Sequence, residues 1–299
     1  MSAASTADAP ALASLNDENV RELITLGTSS QVPTRFRNHN GYLLRFPDCD
    51  LLLDPGEGTQ RQLARARLQA DRIRLILVTH FHGDHSLGLA GMMQRICLEG
   101  GKGPVYVIFP GSGQPFFERM LDACIYEKTV DFVPVPIEHQ GLIYDDERFK
   151  IWARRLSHSV ETFGYRIEEQ GEGGQTIAHV MDTRRCRNAV WLANQADLLI
   201  SESTYMSSEE KEAKERGHMT ARHAAQVAKD AEARRLILTH FSQRYTRSKP
   251  FVQEARAVFA NVRVARDLAR FPFGPGAEAL EDLRRRARET VRAEQRLHG

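Results

Sequence analysis

Four side chains able to bind a metal ion fall within six residues, in the segment His80-Phe-His82-Gly-Asp84-His85. Imidazole and carboxylate together suit zinc and other divalent first-row metals better than calcium or magnesium, which favour shells of oxygen. The aliphatic run Leu75-Ile-Leu-Val78 leads straight into this segment and reads as a short, fully buried strand. On extended backbone, side chains two apart point the same way, so His80 and His82 can grip one ion together. Asp84 and His85 lie past the small Gly83, where the chain can turn and offer ligands to a second ion. A histidine-rich surface loop would not need a buried strand in front of it.

Other polar residues recur where a predicted strand stops: His158, Asp182, Glu202 and His240 all follow or close aliphatic or alternating runs. Strands sharing one sheet edge would bring these groups to a common rim. The sequence Leu236-Ile-Leu-Thr-His-Phe241 echoes Leu77-Val-Thr-His-Phe81 and hints at a duplicated strand–helix unit. The remaining pattern is α/β. A strand at 22–26 precedes a hairpin, 42–46 and 51–53, and a helix opens near Thr59 and runs through Leu63 and Leu68. A helix from Gly88, a strand at 105–109 and a helix at 114–124 follow, then two strands before Leu156. A second hairpin, 162–168 and 175–181, turns at Gly171 to Gly174. A charged helix at 209–216 precedes Thr220, placed to cap a helix over 221–231.

At 299 residues the chain can bury a sizeable core. Residues 1–19, rich in Ala, Ser, Asp and Pro, read as a disordered tail without the features of a signal peptide. Residues 20–274 then form the main domain, and 275–299 an arginine-rich amphipathic helix, with Leu280, Leu283, Ala287 and Val291 at helical spacing. A net charge of +2 is too small to mark a nucleic-acid binder by itself, so any basic surface must be local. The four cysteines are widely spaced and form no C-x-x-C pair; they read as reduced, mostly buried thiols of a cytoplasmic protein. No apolar run approaches membrane-spanning length.

Taken together, these motifs resemble the ribonuclease Z family of tRNA 3′-processing endonucleases, within the metallo-β-lactamase superfamily. The match runs in motif order from about Leu26 to Tyr245. It includes Pro33-Thr-Arg35-Phe-Arg37-Asn38, Asp54-Pro-Gly-Glu-Gly-Thr-Gln60 and the histidine cluster at 80–85. It continues through His158, Asp182-Thr183, Glu202-Ser-Thr204, His218-Met-Thr220 and His240-Phe-Ser242-Gln-Arg244-Tyr245. H-x-H-x-D-H specifies only the superfamily; Glu-Gly-Thr-Gln together with His-x-Ser-x-Arg-Tyr specifies the family.

The resemblance implies a layered α/β fold, an αββα four-layer sandwich, and two Zn2+ per subunit, with Mn2+ as an alternative. Carried over, His80, His82 and His158 would hold the first ion, Asp84, His85 and His240 the second, and Asp182 would bridge them. Asp84 would act as proton acceptor, with Glu202 and His218 paired beside the cleft. Arg35, Arg37, Ser242, Arg244 and Tyr245 fall in family elements that face substrate. The implied activity is cleavage of precursor tRNA, leaving a tRNA 3′-hydroxyl and a 5′-phosphorylated trailer, by a homodimer with no membrane association. The sequence departs from the family pattern at Ser201, where His is usual, at Met181, where Gly is usual, and at Arg35, where Lys is usual. The interval from His158 to Asp182 accommodates two strands and a turn but not the long tRNA-gripping arm of many members. That difference leaves a second reading, a hydrolase of a small phosphodiester or other ester, and a more remote third, a non-catalytic metal-binding interaction protein.

Overall fold

A computed structural model describes residues 21–297, with side chains in the final helix described to residue 286 and at Glu289. The tail expected at 1–19 lies outside the described residues. The chain first lays down β1 (Glu22–Gly27), β2 (Gly41–Arg45), β3 (Asp50–Leu53), β4 (Ile73–Leu77), β5 (Val105–Pro110) and β6 (Phe132–Ile137). It then builds a second sheet from β7 (Gly141–Asp145), β8 (Phe149–Arg155), β9 (Phe163–Glu169), β10 (Thr176–Val180), β11 (Leu198–Glu202), β12 (Leu236–Thr239) and β13 (Val262–Val264). Finally β14 (Ala269–Pro272) returns to pair antiparallel with β1. The spatial orders are β14-β1-β2-β3-β4-β5-β6 and β13-β12-β11-β10-β9-β8-β7, so each sheet has seven strands.

Alternation along each strand assembles the layers. Leu75 and Leu77 of β4, Leu198 and Ile200 of β11 and Ile237 of β12 meet in one core between the sheets. Ile76 and Val78 face the other way, onto a layer containing Leu63 of α1 (Thr59–Arg65) and Met92, Met93 and Ile96 of α3 (Leu89–Leu98), α2 being the short turn Gly83–Ser86. The helix α4 (Gln114–Leu121) adds Phe117 to that layer. On the far side, Leu199, Leu236 and Leu238 pack against α5 (Arg187–Ala193), α7 (Ala221–Asp230) and α8 (Lys249–Arg256), α6 being Glu210–Arg216. The result is the expected αββα sandwich. Because both faces of each sheet are covered, the central strands read as unbroken aliphatic runs.

Two expectations change in detail. Three strands, not two, lie between α4 and Leu156, because β6 completes the first sheet before β7 and β8 open the second. The first helix stops at Arg65, and Leu68 follows Arg67, whose φ of 57° ends the helical path. Of the cysteines, all free, Cys49 and Cys97 are buried, but Cys124 is exposed and Cys186 half-buried, so the thiols are less secluded than expected. Thr220 caps α7 as expected, its hydroxyl accepting from the His223 amide. The last helix, α9 (Ala277–Leu297), is docked at its start: Arg284 pairs with buried Glu22 of β1 at 2.8 Å and Glu281 with Arg235 at 2.9 Å. It therefore straddles the edges of both sheets.

Two cross-sheet hydrogen bonds sit just below the histidine cluster. Tyr165 donates its hydroxyl to the Val78 carbonyl at 2.6 Å, and the Phe163 amide donates to the Thr79 carbonyl at 3.0 Å. Behind the cluster, backbone meets backbone. A Cβ on Gly88 would lie 2.1 Å from the Gly56 carbonyl oxygen, and one on Gly56 would lie 2.1 Å from that of Asp84. Neither neighbour is a flexible side-chain end, so the strain cannot be relieved locally. Gly88→Ala should lower unfolding free energy by about 1–3 kcal/mol, as overpacking does. Gly91→Ala, whose nearest neighbour is the Gln60 side chain at 3.4 Å, should be close to neutral. Urea unfolding of the two variants beside the parent checks both.

Candidate metal centre

The carboxyl ends of β4, β8, β10, β11 and β12 open onto one rim, where ligands gather in open α/β sheets. Within three residues of those ends come His80, His158, Asp182, Glu202 and His240, with His82 a little further on; α2 then adds Asp84 and His85. Ligating atoms on this rim form two neighbouring groups, and a third, Asp182, His218 and His240, overlaps both. His80, His82, His158 and Asp182 form the first and Asp84, His85 and His240 the second, each spanning no more than 4.8 Å.

Asp182 divides its oxygens between them. Its Oδ2 lies 3.6 Å from Nε2 of both His80 and His158. Its Oδ1 lies 3.3 Å from His85 Nε2 and 2.9 Å from His240 Nε2. Asp84 Oδ2 is 3.4 Å from His85 Nε2 and 3.5 Å from His240 Nε2. Ring nitrogens face one another across 2.9 Å for His80 Nε2 and His82 Nδ1, and 3.3 Å for His85 and His240 Nε2.

The outward nitrogens explain why. His158 Nδ1 donates to the Gly217 carbonyl at 3.0 Å, and His85 Nδ1 to Asp54 Oδ2 at 3.0 Å. The Thr204 hydroxyl donates to Glu202 Oε2 at 2.7 Å and so accepts from His240 Nδ1, also at 2.7 Å. Thr79 repeats the device, donating to Asp54 at 2.9 Å and accepting from His80 Nδ1 at 3.1 Å. Four rings thus carry a proton on the outward nitrogen, which leaves Nε2 to bind inward; this is how protein donor sets for divalent cations are oriented. Gly217 is needed for its share: at φ 79° it adopts a backbone that side chains disfavour, and a Cβ there would lie 2.8 Å from His158 Nδ1.

The electrostatics point the same way. Burial alone would strip the proton from His85, but Asp182, Asp84 and Asp54 outweigh it and hold the imidazole well above its usual range. Against the same burial, Asp182 and Asp84 push His240 up to about 10. Burial would raise Asp182, yet His240, His85 and His218 keep its carboxyl well below the usual range. At His80 burial dominates, with His85 adding to it, and the ring is held well below its ordinary value. A site that mixes neutral nitrogen donors with carboxylates demanding positive charge fits a divalent cation, which competes with the proton for Nε2. Asp54, Asp182 and His240 all have φ between 43° and 60°. Such left-handed backbone costs about 1–3 kcal/mol per residue and gathers where geometry matters to function.

Glu202 is buried and accepts five hydrogen bonds. Thr183 N (2.7 Å) and His218 Nδ1 (3.1 Å) reach Oε1, while the Thr204 hydroxyl (2.7 Å), Thr204 N (3.3 Å) and Met219 N (3.1 Å) reach Oε2. It organises the loops bearing Asp182, His218 and His240 at once. His218 touches the cleft, its ring centroid 5.1 Å from that of His158 and 5.5 Å from that of His240. Burial opposes its proton, but Glu202 and Asp182 prevail and raise it above the ordinary histidine value. The cleft has a volume of about 440 Å³, and Asp84, Asp182, Ser242, Arg216 and Arg244 are among its lining residues.

Of the five residues placed in substrate-facing elements, Ser242 and Arg244 reach this cleft. Arg244 forms a two-pronged pair with Glu212, 2.9 Å on each side, over the Tyr205 ring. Arg37 lies over Phe241 and donates to the Tyr245 carbonyl at 2.8 Å, and the Tyr245 hydroxyl donates to Glu209 at 2.7 Å. These two brace the loop. Arg35 stands beside the exposed Phe36. Ser201 is buried and donates to the Glu202 carbonyl at 3.0 Å, and Met181 fills the core between the sheets. Sequence reasoning passed over Asp54, Thr79 and Thr204 as supports; Asp54 carried a signal, since it is a carboxylate directly after a strand. Glu202→Gln puts an amide among donors only a carboxylate can satisfy. It should cost about 1–3 kcal/mol of stability, read by urea unfolding of metal-free protein, because buried donors lose their acceptor.

Residues 50–241 match the model of the beta-lactamase superfamily domain. Ribonuclease Z of Streptomyces avermitilis is 45% identical to the chain, over 85% of this chain and 98% of the relative. Ribonuclease Z of Protochlamydia amoebophila is 41% identical, over 85% and 97%. The crystal structure of human tRNase Z, short form, superposes with a TM-score of 0.69 at 33% identity, covering 83% of this chain and 98% of that one. With its histidines and carboxylates gathered into a divalent-metal site on one sheet rim, the chain belongs to the ribonuclease Z family of the beta-lactamase superfamily, and it is a metal-dependent hydrolase, an endoribonuclease.

Proposed function

We propose that this protein cleaves precursor tRNA on the 3′ side, leaving a tRNA 3′-hydroxyl and a 5′-phosphorylated trailer. Two zinc ions would be held by His80, His82 and His158 and by Asp84, His85 and His240, with Asp182 between them. The division of Asp182 between two histidine groups carries this reading. The names of its relatives, ribonuclease Z and tRNase Z, support RNA as the substrate. Bound there, a pair of divalent cations would supply a water of lowered pKa and screen the charge that builds on the phosphoryl oxygens.

The protein's own groups do the rest. Asp84, at the cleft wall, orients the attacking water and accepts its proton. As the P–O3′ bond breaks, the departing 3′-oxygen needs a proton, and His218 provides it. Glu202 on Nδ1 fixes the ring and favours its protonated form. Arg216 and Arg244 at the wall supply positive charge toward the phosphate backbone, Arg244 sharing its charge with Glu212. The protein acts as a homodimer in the cytoplasm; among the described residues no helix is long and apolar enough to cross a membrane.

One observation favours a second reading. Between His158 and Asp182 the chain makes only β9, a tight turn and β10, without an arm that could hold a tRNA body. A hydrolase of a small phosphodiester would need none.

Incubating pure protein with a 3′-extended tRNA transcript and with bis(p-nitrophenyl) phosphate separates the two. We expect cleavage of the transcript to a 3′-hydroxyl, lost on chelation and regained with Zn2+ or Mn2+. Hydrolysis of the small ester alone would remove tRNA from the assignment. His218→Ala should lower kcat on the transcript by about 100-fold or more, as loss of a general acid does, with bound metal unchanged by elemental analysis. A fall in metal content would place His218 among the ligands instead.

A further inference from the structure

His179 is a fully buried histidine that the metal site does not use. It lies on β10, three residues before Asp182, and its ring meets Tyr42 edge-on at 5.3 Å. Its Nδ1 has no hydrogen-bond partner. Its Nε2 lies 3.0 Å from Asp54 Oδ2, the oxygen that also receives His85 Nδ1. Asp54 accepts at both oxygens, from the Thr79 amide at Oδ1 and from the Thr79 hydroxyl at Oδ2. The ring nitrogen facing it therefore donates.

The other donors to Asp54 are the Thr79 amide at 2.7 Å, the Thr79 hydroxyl and His85, all from the segment that follows β4 in the first sheet. His179 is the donor that arrives from the second sheet. That matters because the ligand set is split the same way. His80, His82, Asp84 and His85 hang from the first sheet, and His158, Asp182 and His240 from the second. An apolar side chain could fill the space beside Tyr42 without bringing an imidazole into the core, where an unpartnered nitrogen is costly.

We propose that His179 is a positioning residue. Its hydrogen bond to Asp54 clamps the two sheets at the spacing, 3.3 Å between His85 Nε2 and Asp182 Oδ1, at which both residues would hold one cation. It touches neither metal nor substrate, and acts through Asp54 on the orientation of His85. The inference rests on the reading of His85 as a metal ligand.

The test uses full-length protein, stripped of metal and titrated with Zn2+ against a chromogenic chelator, then with Co2+ while its visible spectrum is recorded. His179→Phe and His179→Leu remove the donor with a larger and a smaller apolar side chain. His179→Gln keeps an N–H that can reach Asp54. We expect both apolar variants to fold without metal and to bind Zn2+ about 10–100-fold more weakly, the usual effect of losing an outer hydrogen bond to a ligand. Their Co2+ bands should shift, and His179→Gln should recover most of the affinity and the parental spectrum. If one apolar variant fails to fold, the other decides. Parental Zn2+ affinity in a folded apolar variant overturns the proposal, and so does a failure of His179→Gln to recover binding, since the side chain would then serve only to fill space. His85→Ala is run in parallel. If it keeps the full complement of metal, the ligand reading has failed, and that result is distinct from failure at His179.

Discussion

Like charges and lone pairs resist being brought together, and the rim of this protein collects six imidazoles and three carboxylates, His218 and Glu202 among them, within a few ångströms. What makes the crowd stable is the carboxylate of Asp182, one oxygen turned to each histidine group. The surrounding structure serves to keep it there. Met181 anchors the preceding position in the core between the sheets, and the Thr183 amide is tied to Glu202. The residue itself holds a left-handed backbone that it would not choose in isolation. The parallel strands β10, β11 and β12 then set Asp182, Glu202 and His240 side by side on one edge.

Much of this could be read from the sequence, because strand ends leave a visible mark. An aliphatic run that stops at a histidine or carboxylate signals both the element and the side chain it delivers, and the run before His80 and the one before His240 do so in almost the same letters. The echo has a structural counterpart: β4 and β12 lie in different sheets, and both point their ends at the same centre. The cross-strand supports were less legible. Nothing local distinguishes His179 from a strand histidine facing solvent, and the role of the Gly217 carbonyl depends on a contact 59 residues away. The surroundings of the arginines were hard to read for a related reason. A sequence shows a positive charge but not its partner, and Arg37 and Arg244 prove to be engaged with a carbonyl and a glutamate.

The same lesson bears on how a polyanion would be held. Arg184, in the basic run after Asp182, gives its Nε to the Lys214 carbonyl and braces α6 against the rim. Arg216 and Arg244, at the cleft wall, both pair with Glu212, and the short β9–β10 hairpin adds no reach beyond the body of the sandwich. Recognition by such a surface depends more on the shape of the cleft and on contacts spread over the molecule than on a single gripping device.

The return of β14 to the edge beside β1 makes closing the first sheet a long-range step. Glu22, buried beside Arg45, also draws on Arg270 and Arg284, 248 and 262 residues further along the chain. Without them the flank of β1 offers an unpaired ladder and an acid left to Arg45. His240 follows β12 of the second sheet, so the donor set is complete only when both sheets are formed. The strand that completes the first sheet follows every strand of the second in the chain, so the first half of the fold is not finished until the second has been laid down.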